Sequence, residues 1–367
     1  MGTTDSGRSL EFLPPAMRKH IDPASPLPLR MMAAKALVPL APAEMLGALY
    51  LLTGDPDEGV RTTATASAEK LPDRILGAAL RDEEVPGEVL GWCLDRLVGN
   101  DVYCEMLVLN ASTSDEAVAR AASRCSLRSL EIIGQNQLRL LRHEDIVRQL
   151  CANPVATPAL VDGVCDFCVR SGLQVADLPQ MRAARIRIYG PEAADAVPDP
   201  GPTAEEVLAE YQVGDESAPP LEEGKRLTFA QRIMRMSIAE KIKLATKGNK
   251  EARAYLLRDS NKLVAVAAIR SPRITDPEIL AVSNSRQAHD EVLRVVFGNR
   301  EWVKMYPVKV ALVKNPKVPL PIAMKFLATL REAEVRDISR DKNVPSGVQL
   351  QARKNLEKRN EPKKTGH

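Results

Sequence analysis

Residues 315–323 read NPKVPLPIA, and two other stretches share their pattern: NPVATPALV at 153–161 and SPRITDPEI at 271–279. Each opens on Asn or Ser followed by Pro. Each has a small or β-branched apolar residue at the fourth place, then Thr or Pro where a helix cap belongs, and another Pro soon after. NASTSDEAV at 110–118 is a copy without the prolines. The physics is local. Asn or Ser closes one helix, and Pro forbids its continuation. Thr157 or Thr275 caps the next helix, while Pro158 or Pro277 occupies its first turn, where a missing N–H costs nothing. The copies at 110 and 153 lie 43 residues apart, and those at 271 and 315 lie 44 apart. That spacing predicts a stack of helical repeats with a period of about 40–47 residues. A second spacing, near 28, links 81 with 110 and 315 with 343, and it leaves the register open.

The flanking segments agree. DPDEGVRTTATASAEKLP (55–72), SNKLVAVAAIRSP (260–272) and HDEVLRVVFGN (289–299) each place polar or acidic residues ahead of a Val/Leu/Ala helix. In REWVKMYPVKVALVKNP (300–316), Pro307 either kinks a helix or starts a second one. Short helices fill 27–173 and 228–356, and no period-2 strand stands out. Aromatic residues make up only 4% of the chain, so Ala, Leu, Val and Ile must do the packing, which suits closely stacked helices. The expected fold is therefore all-α. With its Asn/Ser-Pro turns and DPDEGVR-type helix starts, the chain resembles the HEAT-like and leucine-rich-repeat-variant α-solenoids, roughly over 27–187 and 228–356. The run from SIAEKIKLATKGNK to RDKNVPSGVQLQARKNL is similar to a helical C-terminal module of bacterial proteins with no established role. That likeness implies a bacterial source and little more.

Charge divides the chain. Residues 225–367 hold 31 Lys and Arg against 14 Asp and Glu, whereas residues 1–224 hold 20 against 34. Between Ile188 and Gly224 there is no Lys or Arg, but there are ten carboxylates and six prolines. That composition predicts a disordered acidic linker over 188–227, with one short helix at 203–211 behind the capping box of Thr203 and Glu206. The remaining divisions follow: a disordered leader over 1–26, an acidic helical-repeat domain over 27–187, a basic one over 228–356 and a basic tail over 357–367. Within the leader, Gly2 and Ser6 match a myristoylation pattern, but a plain leader is the preferred reading.

Few features point to chemistry. All six cysteines fall between 93 and 168, inside apolar helix-like runs, and the chain has no export signal. They read as small buried hydrophobes in a reducing cytoplasm. CDFC at 165–168 lacks the second pair or the histidines that a zinc site uses. No phosphate-binding glycine loop, HExxH or GxSxG occurs. The expectation is a non-enzymatic scaffold or adaptor without cofactor or metal, binding partner proteins along a solenoid surface. Its basic half would take an anionic partner through Arg232, Arg235, Lys241, Lys243, Lys247, Lys250 and Arg253, read as part of one basic amphipathic helix over 232–250 and the residues just beyond it. An anionic membrane surface is a lesser candidate for that helix. The alternative is nucleic-acid binding, as backbone contact with a duplex through the basic half. A remote enzymatic option follows from the resemblance: some HEAT-like solenoids are alkylpurine DNA glycosylases, and Trp302 and Tyr306 with Asp337 or Asp341 could be cast in that role. The acidic linker is also placed to lie across the basic half and screen it.

Overall fold

The computed structural model describes residues 13–175, 177–191, 201–217 and 221–360. Among the described residues there are helices and no strands. The chain forms two compact units, one over 1–169 with 174–195 and one over 170–173 with 196–367.

The first unit holds α1 (Pro15–Arg18), α2 (Leu27–Ala34), α3 (Pro42–Leu52), α4 (Glu58–Glu69), α5 (Asp73–Leu80), α6 (Gly87–Leu97) and α7 (Asp101–Leu109). It continues with α8 (Asp115–Ala122), α9 (Leu127–Gln135), α10 (Gln137–Arg142), α11 (Glu144–Ala152), α12 (Pro158–Arg170) and α13 (Pro179–Tyr189). Most helices pack on the next but one in sequence, and α8 packs on α11, which builds two rows: α3, α5, α7 and α9 in one, and α6, α8 and α11 in the other. This is the stacking of an α-solenoid, in which each repeat contacts its neighbours.

The second unit holds α14 (Ala204–Tyr211), α15 (Glu223–Arg235), α16 (Ile238–Lys247), α17 (Lys250–Leu256), α18 (Lys262–Ile269) and α19 (Asp276–Asn284). After α20 (Asp290–Gly298) comes a 3-10 turn (Trp302–Lys304), then α21 (Tyr306–Lys314), α22 (Leu320–Leu327), α23 (Glu332–Arg340) and α24 (Ser346–Asn360). The pattern repeats: α14, α16, α18 and α20 form one row, and α19 packs on α21 in another.

The proline turns punctuate the stack as their chemistry dictates. Thr157 Oγ1 accepts from the Leu160 amide ahead of α12, which begins at Pro158. Pro277 and Pro321 sit in the first turns of α19 and α22, and Pro307 starts α21 rather than kinking a longer helix. The asparagines do more than end helices. Asn153 is buried after α11, and its Nδ2 donates to the carbonyls of Ala122 (2.8 Å) and Cys125 (3.1 Å), where α8 ends. Asn110 reaches in the same way from the end of α7 to Leu80 and Asp82, after α5. Asn315 reaches from the end of α21 to Ser283 and Ser285, after α19. In each case Oδ1 accepts the amide two residues on. One side chain therefore satisfies open carbonyls at the end of the preceding helix in its row and, by accepting an amide, fixes its own turn.

These contacts correct the repeat length. Within one row α6, α8 and α11 begin at residues 87, 115 and 144, and in the second unit α18 and α20 begin at 262 and 290. The stacking step is thus 28–29 residues between these helices, and helix starts elsewhere in the rows are 24–34 residues apart. The 43-residue interval joins Asn110, in the α5–α7 row, to Asn153, in the α8–α11 row. The same turn serves both rows, so equal motifs do not mark equal rows.

Ser271 holds the Asn position after α18, but its short side chain reaches no partner; it is 3% exposed with an unpaired hydroxyl. Arg273 takes over instead, donating to the Lys247 carbonyl at the end of α16 and to that of Gly214. Ser271→Ala should therefore leave thermal stability unchanged or raise it by up to about 1 kcal/mol, since it removes a buried polar group without a bond. A loss above that size in a thermal melt would show that the hydroxyl is bonded.

Three expected boundaries change. The leader extends less far than 26: Leu13 and Ile21 are core residues at 1% and 4% exposure, so burial fixes this stretch, while Gly2 and Ser6 lie outside the described residues. Residues 357–360, expected in the tail, belong to α24. The acidic stretch 201–217, expected as disordered linker, is part of the second unit. Its helix α14 keeps the Thr203–Glu206 capping box and packs on α15 and α16. Ala204, Val207, Tyr211 and Val213 are buried, and Phe229 lies with ring centroids 5.1 Å from Tyr211 and 5.4 Å from Tyr255. Three apolar side chains at helical spacing, with Val213 just past the helix end, outweigh the acidic composition.

Candidate functional site

The seven cations expected to meet an anionic partner do not form one surface. The helix read over 232–250 breaks at Met236, because Ser237 caps a new helix through its hydroxyl and the Glu240 amide. Arg232 pairs with Glu210 (3.1 Å) and Lys247 with Glu205 (3.5 Å), both carboxylates of α14. Lys241 bonds Asp259 (2.8 Å) and Lys243 bonds Glu240 (2.8 Å). Arg235 and Lys250 are exposed. Arg253 is not a surface residue: its side chain is 0% exposed. Its Nε and Nη2 form a two-bond fork onto Glu278 (2.9 Å each), and its Nη1 reaches Glu216 (2.5 Å) and the Gly248 carbonyl. The reason for this placement is sequence-distant, since Glu278 lies 25 residues later and Glu216 lies 37 earlier. The acidic segment does lie against the basic helices, but as a packed member of the stack rather than a removable strap.

The first unit carries an open cleft of about 770 Å³ across one row, lined by Asp95, Glu116, Ala119, Arg120, Ser123, Arg124, His143, Asp145 and Gln149. Its walls come from α6, α8 and α11 and from the residues at their ends. Arg120 and Arg124 lie one turn apart along the chain and converge on Asp95. Arg120 makes a fork of 2.8 and 3.2 Å, and Arg124 adds a 2.7 Å bond. His143 Nε2 stands 3.9 Å from Asp145. Both guanidiniums keep about half their side-chain surface in solvent (54% and 47%), so their outer N–H groups remain available. The cleft therefore offers alternating carboxylate, guanidinium and imidazole groups on three successive helices. Sequence reading missed it. The available signal was Arg120 and Arg124 at helical spacing, with Asp95 lying 25 residues earlier, close to the stacking step.

Beneath this row lies a buried ionic cluster. Arg139 donates to the carbonyls of Thr113 and Asn110 (2.7 Å each) and to Asp115 (2.6 Å), while Arg142 forks onto the same carboxylate. Burial alone would raise the Asp115 pKa, but Arg142 and Arg139 outweigh it and hold the carboxyl below its ordinary range. A depressed native pKa stabilises the fold above the unfolded value of about 3.9, and that contribution is lost as pH falls through the lower native value. The stability gap between wild type and Asp115→Asn should accordingly be widest near pH 7 and close below pH 4. A gap that stays constant across urea titrations at these pH values would refute the ion-pair account.

Two of the residues cast as a glycosylase site have local work. The Tyr306 hydroxyl accepts from the Arg331 amide (2.9 Å), with the Arg331 guanidinium 4.8 Å from the ring centre. Asp341 accepts from the Asn343 amide (2.9 Å), Asp337 is exposed on α23, and Trp302 lies in the 3-10 turn. Cys165 and Cys168 are both buried on α12. Among the described residues no group of His, Cys, Asp and Glu is arranged to hold a metal ion, and no helix is long and apolar enough to cross a membrane. No family profile, no curated protein and no solved structure matches the chain.

Proposed function

We propose that this chain is a non-enzymatic adaptor that holds partner proteins on its stacked helices, with an anionic partner taken by the basic second unit. The cleft over α6, α8 and α11 carries this reading. Small-molecule sites are mostly enclosed and apolar, with few polar groups. This cleft is open and lined by both signs of charge in series, which suits an extended peptide bearing its own charges. Stacked repeats supply such surfaces because each step adds an equivalent helix. The proposed kinship is with α-solenoids of short two-helix repeats, since steps of 24–34 residues fall short of the HEAT or armadillo period of about 40–47.

For the second unit, the cations around α15–α17 are largely matched by internal carboxylates. We place the anionic partner further along, where residues 300–360 hold 14 Lys and Arg against 6 Asp and Glu. The test uses the full-length chain and an Arg120→Glu/Arg124→Glu variant, each immobilised and exposed to host lysate with and without nuclease treatment, with retained proteins read by mass spectrometry. Exposed ion pairs are worth about 0–1 kcal/mol, so the variant should melt within a few degrees of wild type. At least one protein should be retained by wild type and lost by the variant. Identical retained sets would overturn the cleft as a partner site. Retention that vanishes with nuclease in both would favour the nucleic-acid alternative.

A further inference from the structure

Five of the six cysteines are buried, and the sixth, Cys151, is only partly covered. Cys151 lies at the end of α11, and Cys165 lies two turns into α12, on the other side of the Asn153–Pro158 turn. Their sulfurs stand 3.8 Å apart. We propose that Cys151 and Cys165 form a redox-modification site, which hydrogen peroxide closes into an intramolecular disulfide.

The geometry assigns the two roles. Cys151 is the accessible sulfur, so the oxidant reaches it first. A Cys165 thiol donating to the Cys151 sulfur favours thiolate at Cys151 and holds the proton on Cys165. Among the other buried thiols, Cys104 has Ser129 as a hydrogen-bond partner, but burial outweighs it and raises the thiol all the same. Burial pushes Cys93, Cys125 and Cys168 up to about 12, which leaves them protonated and poorly nucleophilic. In the first step the Cys151 thiolate attacks one peroxide oxygen, the O–O bond breaks and hydroxide leaves. Cys151 becomes a sulfenic acid. In the second step the Cys165 sulfur attacks Cys151, the S–OH bond breaks, and the thiol proton leaves with the hydroxide as water. Two thiols are oxidised, and the peroxide is reduced to two waters. Closing from 3.8 Å to a bond of about 2.05 Å requires the sulfurs to move together by less than 2 Å. The resulting ring encloses the Asn153 turn, and α11 also carries the cleft residues Asp145 and Gln149.

The test begins with the unmodified full-length chain. After treatment with hydrogen peroxide, remaining thiols are alkylated under denaturing conditions and the chain is mapped by mass spectrometry. The expected result is loss of two alkylatable thiols, a mass decrease of about 2 Da and a single cross-linked peptide pair joining 151 to 165, all reversed by dithiothreitol. Cys165→Ser should leave Cys151 as a sulfenic acid trapped by dimedone, Cys151→Ser should prevent the cross-link, and Cys168→Ser should leave it intact. Oxidation of other cysteines ahead of Cys151, a 165–168 link, or six free thiols after peroxide treatment would each overturn the proposal. The wild-type map decides it even if a variant folds poorly.

Discussion

Arg253→Met is expected to lower stability by about 3–5 kcal/mol at pH 7, the largest loss for any single change considered for this chain. The guanidinium is fully buried and satisfies Glu278 with two bonds, as well as Glu216 and a carbonyl. Glu216 keeps 39% of its side chain exposed and can turn to water. Glu278 cannot: its side chain is 5% exposed, and only Thr275 would remain to it, through the backbone amide (3.0 Å) and the hydroxyl (2.7 Å). In the wild type, burial pushes the Glu278 pKa up, but Arg253 and Thr275 outweigh this and the net shift is downward. Without Arg253, burial prevails and the native pKa rises. The sign of the linkage then inverts. In wild type, Glu278 stabilises the fold above its unfolded pKa of about 4.3; in the variant it penalises the fold there, and protonation relieves the penalty as pH falls. Urea unfolding should therefore show a wide gap between wild type and variant at pH 7 and a narrower one near pH 4. Adding Glu278→Gln should recover part of the loss, because the uncompensated charge is gone. A loss under about 1 kcal/mol at pH 7 would mean that Glu278 reaches solvent after all.

Arg253 also marks where the sequence stops being legible. Within EARAYLL it looks like one more cation in a basic run, and it was expected at a partner surface. What buries it is a pair of carboxylates far away along the chain, and charge counting carries no information about pairing. Local signals fared better. The Thr203–Glu206 capping box, the Pro-led first turns of α19 and α22, and the all-α class were readable because each depends on neighbours within four residues. The acidic segment misled through composition: net charge argued for disorder, while Val207, Tyr211 and Val213 supplied enough burial to hold α14 in place. The cleft was invisible for the same reason as the Arg253 network. Asp95 and its two arginines become neighbours only once the 28-residue step is known, and the motif spacing of 43 pointed to a different step.

The asparagine turns allow that step to be tested chemically, since Asn153→Asp alters no volume and little shape. We expect it to cost about 3–4 kcal/mol at pH 7. The change replaces a two-proton donor by a carboxylate oxygen facing the carbonyls of Ala122 and Cys125, at a position only 4% exposed. Two hydrogen bonds are lost, at about 0.5–1.5 kcal/mol each, and a buried charge must face two acceptors. Asn153→Ala loses the same bonds without the charge and should cost about 2–3 kcal/mol. The two variants should separate with pH. The new carboxyl, raised in pKa by burial and by the carbonyl dipoles, accepts a proton on acidification and regains one donor. Its contribution is thus favourable below the unfolded value of about 3.9 and is lost as pH rises through the higher native value. Measured against wild type at each pH, Asn153→Asp should be the worse variant at pH 7.5, and its deficit should shrink by pH 4.5, while the Ala deficit stays constant. If both variants cost under about 1 kcal/mol at every pH, the side chain is not tying α11 to the end of α8, and the row-to-row step would have to rest on apolar packing alone.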